Sequence, residues 1–345
     1  MRPYISRTPA IMEPLNFGAM RDQFGRRIQY LRISVTDRCN LRCTYCMPEE
    51  GLAWIPKPEM LAYEEIQEIV RQMADIGLER VRITGGEPLV RKDLPDLVRM
   101  IAAVPGINDI SLSTNAILLP RFAEALREAG MHRVNISLDT LDRDRFVEIA
   151  RRPARRFDET MTGIRAAEEV GFAPIKINCV IMRGLNDHEV ADFAAITRER
   201  PWHVRFIELM PVGENLHLTD RFISADEVLE RIRAIDRLLP DPGPRGNGPA
   251  VYYRFPDGTG TVGVITPLSH NYCERCNRMR LTADGKLRTC LFGDHEVDLK
   301  GPLRETGSIE AAVARALAGK PKRHYLELGT AAGSGGLAAL SQVGG

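Results

Sequence analysis

The sequence predicts an α/β fold, a partial and open barrel of six βα units followed by a separate C-terminal region. Three observations predict it. Short β-rich runs alternate with helical runs six times between residues 28 and 209. That rhythm breaks after residue 211. Six strands fall short of the eight that close a barrel, so the barrel stays open. The element order is then as follows. "IQYLRISV" (28–35) is the first strand, and "YEEIQEIVRQMADIG" (63–77) has helical periodicity. "ERVRIT" (79–84) is a strand and "DLPDLVRMIAAV" (93–104) a helix. "DISLSTN" (109–115) is a strand, and "PRFAEALREAG" (120–130) opens on Pro and closes on Gly as a helix does. "HRVNISL" (132–138) is a strand, and "FDETMTGIRAAEEVG" (157–171) a helix closed by Gly171. "IKINCVIM" (175–182), "DHEVADFAAITRER" (187–200) and "HVRFIEL" (203–209) read as strand, helix and strand. Such alternation implies a parallel sheet with right-handed crossovers. Beyond it, "SADEVLERIRAI" (224–235) is a helix with Ser224 and Glu227 in capping-box spacing. "PDPGPRGNGPA" (240–250) is a turn-rich connector, and "VYYRF" (251–255) with "GTVGVITP" (260–267) forms an antiparallel pair.

The chain has 345 residues, enough for two domains or for one barrel with an appendage. Its formal net charge of +1 supplies no bulk field toward nucleic acid or membrane, so an anionic substrate needs local cations. No run approaches the roughly 18 apolar residues of a spanning helix. The first 20 residues lack the apolar stretch of a signal peptide, so a cytoplasmic location is expected. Seven cysteines there should be reduced, and clustered thiols point to metal. Six of them fall in two groups of three, while Cys179 lies in an apolar run and reads as a buried structural thiol.

Cys39, Cys43 and Cys46 are spaced C-x₃-C-x₂-C directly after the first strand. Three thiolates suit zinc or an iron–sulfur cluster. A structural zinc closes with four protein ligands, and no fourth candidate is near. A 4Fe–4S cube on three cysteines keeps one iron open to chelate a small molecule. The loop, with aromatic Tyr45 before its last cysteine, resembles the radical S-adenosylmethionine (SAM) superfamily. "RITGGEPLVR" (82–91) adds to the resemblance through Gly85, Gly86 and Glu87. In that superfamily the segment holds the methionine amino group of SAM, with the glycines allowing close approach and the carboxylate accepting from the ammonium.

Cys273, Cys276 and Cys290 form the second group, C-x₂-C-x₁₃-C, with Arg278 and Arg280 on alternate positions between them. On spacing alone a zinc site completed by His270 or His295 stays open. The arginine pair reads as a solvated basic face or as an anion clamp, since Arg forks match phosphate oxygens. Both groups together, with "NRMR" and a terminal Gly-Gly, resemble the GTP 3′,8-cyclase family, which opens molybdenum cofactor biosynthesis. The resemblance implies a six-stranded TIM-like partial barrel whose open side the C-terminal region covers. It also implies two 4Fe–4S clusters, the first binding SAM and the second binding the guanine of GTP.

Carried over motif by motif, the resemblance implies SAM contacts at Tyr45, Gly85, Gly86, Glu87, Ser137 and Met210. It implies GTP contacts at Arg32, Arg82, Ser113, Lys176, Arg278 and Arg280. Arg278, Arg280, Gly344 and Gly345 are the expected catalytic positions, with the Gly-Gly end reaching the cavity. The expected reaction cleaves SAM reductively, moves the 3′ hydrogen of GTP to a 5′-deoxyadenosyl radical and joins the ribose to carbon 8 of guanine. Implied partners are an electron-donor protein and the downstream cyclic pyranopterin monophosphate synthase, and a homodimer is open. Residues 1–15 form an N-terminal extension, 16–222 the barrel, 223–328 the second-cluster region and 329–345 a flexible Gly-rich tail. Two rivals remain, another radical SAM enzyme with an auxiliary cluster and a zinc-binding adaptor without catalysis.

Overall fold

A computed structural model describes residues 20–244, 246, 248–324, 340 and 342. Six strands alternate with helices: β1 (Tyr30–Ser34), β2 (Arg80–Thr84), β3 (Asp109–Thr114), β4 (Arg133–Ser137), β5 (Ile175–Ile181) and β6 (Trp202–Glu208). The helices between them are α1 (Tyr63–Asp75), α2 (Leu94–Ala102), α3 (Ala123–Glu128), α4 (Arg143–Ala150), α5 (Arg155–Glu169) and α6 (Val190–Glu199). All six strands run parallel and pair in chain order, as the alternation predicts.

Period-two patterning explains how one sheet serves a core and a cavity. Leu31 and Ile33, Val81 and Ile83, Ile110 and Leu112, Val134 and Ile136, Ile177 and Cys179, and Val204 and Phe206 all join one buried cluster with the helices. The intervening positions carry Arg32, Arg82, Ser111, Arg133, Asn135, Lys176 and Arg205 on the other face. A parallel strand covered by apolar groups on both faces would read as continuously hydrophobic. These strands alternate because their second face lines a polar interior. Cys179 is fully buried, the structural thiol expected of it.

The C-terminal region extends the sheet at both edges. After α7 (Ala225–Arg233) come β7 (Leu239–Asp241), β8 (Val251–Arg254), β9 (Thr261–Ile265), β10 (Arg278–Leu281), β11 (Lys286–Arg288) and β12 (Glu296–Asp298). Strand β9 pairs parallel with β6, and β10 pairs parallel with β1. The six predicted strands thus sit inside a twelve-stranded open sheet, ordered β12-β11-β10-β1-β2-β3-β4-β5-β6-β9-β8-β7. The antiparallel pair at 251–267 is β8 and β9. Ser224 caps α7 by accepting from Glu227 N at 3.2 Å, as its spacing predicts. Two local readings differ. Pro120 lies in a 3-10 turn and α3 starts at Ala123, later than the Pro-first pattern suggests. Helix α4 was not anticipated. Its cap is Asp142, which accepts from Asp144 N and Arg145 N. Two short helices, α8 (Lys300–Thr306) and α9 (Glu310–Ala318), complete the described chain. No helix among the described residues is long and apolar enough to cross a membrane.

Candidate functional site

The cysteine loop follows β1, at the end where parallel strands deliver their side chains to a site. Its backbone is held from below by the missed helix: Thr44 N donates to Ile149 O at 2.9 Å and Arg42 N to Ala150 O at 3.0 Å. From the side, Gly86 N donates to Thr36 O at 2.7 Å and Glu87 N to Arg38 O at 2.8 Å. A side chain at Gly86 would lie 2.4 Å from the Arg38 carbonyl. The glycine pair therefore grants close approach to the cysteine loop itself, a demand the sequence reading had placed on the ligand alone.

Cys39, Cys43 and Cys46 line a cavity of about 1120 Å³ with Tyr45, Gly85, Gly86, Glu87, Ser113, Ser137 and Met210. The expected SAM positions and Ser113 are thus brought together. Glu87 is buried, which pushes its carboxyl up to about 7. It already accepts from Thr114 Oγ1 and Asn115 N at 2.7 Å and from Leu89 N at 3.1 Å. A carboxylate has about four lone-pair sites, so one remains for a donor in the cavity. Three residues at this site escaped the sequence reading. Asp139 accepts from Tyr45 Oη at 2.8 Å and from Val180 N at 2.8 Å, and burial raises it to about 6. Asn178 presents a buried Oδ1 with no hydrogen-bond partner toward the cavity it lines. Asn215 donates to both Tyr45 O and Met210 O, tying the two expected SAM contacts together. A polar residue inside an apolar strand run was the only available signal for Asn178; none marked the others.

Cys273, Cys276 and Cys290 line a second cavity of about 510 Å³, with Tyr272, Arg278, Arg280 and His324. His270 and His295, the zinc candidates, are absent from it, and His270 pairs with Asp226 at 2.8 Å. All seven thiols are free. Among the described residues, no three His, Cys, Asp or Glu side chains gather closely enough to hold a single metal ion. Zinc needs its ligands on one tetrahedron, whereas a four-iron cube takes each thiolate at a different corner. Burial also pushes Cys39 to about 11 and Cys43 well above the usual thiol range, so thiolates at the first triad would need a positive counter-charge.

Between the triads the strand register aligns the cations. Arg32 stands opposite Arg280 on β10 and opposite Arg82 on β2, and Arg82 opposite Ser111. Ser111 in turn stands opposite Arg133, and Lys176 opposite Asn135. Arg278 and Arg82 lie over the Tyr272 and Tyr30 rings at 5.2 and 5.5 Å. Asp109 answers Arg133 with two contacts, at 2.6 and 2.7 Å. Arg205, also missed in the sequence, donates to Asn135 Oδ1 at 2.8 Å. Burial and the mutual repulsion of these cations lower Arg82 and Arg280 to about 10 and Lys176 to about 6. A row of buried guanidinium groups is chemically suited to a polyanion. Gly344 and Gly345 lie outside the described residues, but Leu340 is buried and lines the first cavity beside Met210 and Ser137.

Comparison with known proteins agrees with this geometry. The Radical SAM superfamily model matches residues 33–196, and the Molybdenum Cofactor Synthesis C model matches 202–326. A GTP 3′,8-cyclase of Pelotomaculum thermopropionicum is 52% identical over 89% of this chain and 95% of its own. One of Moorella thermoacetica is 50% identical over 94% and 100%. Among solved structures, Streptococcus suis SuiB bound to S-adenosylmethionine superposes with a TM-score of 0.56 at 16% identity. That match covers 80% of this chain and 64% of SuiB, and it speaks for the fold.

Proposed function

The chain belongs to the GTP 3′,8-cyclase family of radical SAM enzymes, and from that premise we propose how its residues share the work. It is an enzyme that converts GTP to (8S)-3′,8-cyclo-7,8-dihydroguanosine 5′-triphosphate, the first step of molybdenum cofactor biosynthesis, with two 4Fe–4S clusters and SAM. Cys39, Cys43 and Cys46 would hold the first cluster, and Cys273, Cys276 and Cys290 the second. When bound, these groups supply the electron and the carbon-centred radical chemistry.

The remaining steps fall to side chains. The cation row carries the assignment, because it crosses the interior between the two triads where a triphosphate must be neutralised. Arg32, Arg82, Lys176, Arg278 and Arg280, joined by Arg133 and Arg205, bind GTP through charge-assisted hydrogen bonds. Lys176 Nζ takes up a proton when phosphate arrives. Ser113 supplies a hydroxyl on the substrate side. Gly85, Gly86, Glu87, Ser137 and Met210 seat SAM, and Asp139 and Asn215 fix Tyr45 beside it. Residues 16–222 provide the barrel and 223–328 the second-cluster region, with 1–15 an N-terminal extension. A role for Gly344 and Gly345, which lie outside the described residues, draws support from Leu340, which is buried and lines the first cavity.

We place the enzyme in the cytoplasm, reduced by an electron-donor protein and feeding cyclic pyranopterin monophosphate synthase. Anaerobic reconstitution should yield brown protein with two clusters by iron and sulfide counting, and cyclised product from GTP and SAM. Iron-free protein, or SAM cleavage with no GTP product, would sink the assignment. Sedimentation of the same sample decides whether it is a homodimer.

A further inference from the structure

We propose that Lys320 is a positioning residue for the second cluster: it ties together the segments that carry Cys276 and Cys290 and sets a positive charge beside them. This rests on the cluster assignment above. Lys320 follows α9 and is 2% exposed. Its ammonium donates to Arg278 O at 2.9 Å and to Thr289 O at 2.6 Å. Arg278 lies two residues after Cys276, and Thr289 immediately precedes Cys290. One side chain thus bridges the two ligand-bearing segments through their backbone.

The third ligand is fastened to the same stretch of chain. Arg26 Nη1 donates to Cys273 O at 2.7 Å and to Lys322 O at 3.0 Å, and its Nη2 donates to Pro321 O at 2.6 Å. Gln23 Nε2 reaches Ala318 O at 2.8 Å. A side chain at Gly319 would lie 2.5 Å from the ring of exposed His295, which would have to move aside. Segment 318–322 is therefore a strap across the back of the triad.

The two cations of the strap differ in charge balance. Arg26 pairs with the fully buried Asp22 carboxylate at 2.6 Å. Lys320 makes no ion pair with a carboxylate among the described residues. A buried ammonium without a counter-ion is rare, because two carbonyls repay only part of its lost hydration. Three thiolates and a reducible cluster supply the missing negative charge. The same attraction favours the reduced cluster over the oxidised one, since reduction adds an electron.

The test uses full-length protein carrying Cys39→Ala, Cys43→Ala and Cys46→Ala, so that only the second cluster is seen. This parent is compared with Lys320→Met and Lys320→Arg in the same background. Iron and sulfide are counted, and the midpoint potential is read by redox titration followed by electron paramagnetic resonance. Lys320→Met should lower the one-electron equilibrium about tenfold, a downward shift of about 59 mV, or fail to keep the cluster. Lys320→Arg should keep both cluster and potential. A Lys320→Met protein with full cluster and an unchanged or raised midpoint overturns the proposal, and so does loss of the cluster from Lys320→Arg. A parent that takes up no iron overturns the second-cluster assignment itself and this proposal with it.

Discussion

Lys176 shows how a single residue reports on its neighbours. Burial first, then Arg205, Arg133 and Arg82, lower its ammonium to about 6, while Asp109 opposes them. An unfolded lysine titrates near 10.4. Between those values the unfolded chain binds more protons, so this site's contribution to stability falls as pH drops toward 6. Triphosphate reverses the balance. GTP binding at pH 7.5 should take up a proton, and affinity should rise as pH falls from 8.5 to 6.5. Calorimetry in two buffers of different ionisation enthalpy measures the uptake, which Lys176→Met should diminish; heats that do not depend on the buffer would count against it. Arg280→Ala removes a charge-assisted contact worth about 1.5–3 kcal/mol. GTP affinity should fall by roughly tenfold or more with iron content unchanged, and an unchanged dissociation constant would remove Arg280 from the site.

At the scale of elements, α4 carries the first cluster loop. Its last carbonyls accept from Arg42 and Thr44, and Phe146 packs with Leu41, Cys39 and Cys43 against the Phe157 ring, 5.8 Å away edge to face. Phe146→Ala should cost about 3 kcal/mol or more through the cavity it leaves. Thermal melting should fall, and the first cluster should be lost faster in air than the second; equal loss rates would separate α4 from the loop. This helix was hard to read in sequence. It is eight residues long, half of them charged, and its order comes from packing under the cysteine loop. By contrast Ser224, α1 and the βα strands were legible, because capping chemistry and amphipathic periodicity act within a few residues.

Across the whole molecule, the two cysteine triads line separate cavities, and the second also takes in Arg278 and Arg280. Separation predicts separable defects. Cys39→Ala should abolish SAM cleavage altogether. Cys290→Ala should retain part of that cleavage and lose cyclised product, as measured by deoxyadenosine and product yields; intact cyclisation in Cys290→Ala would detach the second triad from GTP. The tail makes a related prediction. Deleting Gly344 and Gly345 should leave folding, cluster content and SAM binding near normal while product falls by orders of magnitude. A peptide copying the last residues should restore part of it, and full activity after truncation would exclude a catalytic tail.

The sequence by itself determined the six βα units, both cysteine triads, the buried Cys179 and part of the lining of the two cavities. Those features are written locally, in periodicity, spacing and capping. Only the tertiary structure decided that β10 docks parallel on β1 and β9 on β6, and with that which side chains face one another. Parallel register aligns Arg280, Arg32 and Arg82 from segments up to about 250 residues apart. A slip of one residue in any of these strands would turn its arginine away, because strand side chains alternate faces. The same long-range packing placed Asp139 under Tyr45, joined Tyr45 to Met210 through Asn215 and carried Lys320 to the second triad. None of these pairings leaves a trace in local pattern, since each is set by how distant elements meet.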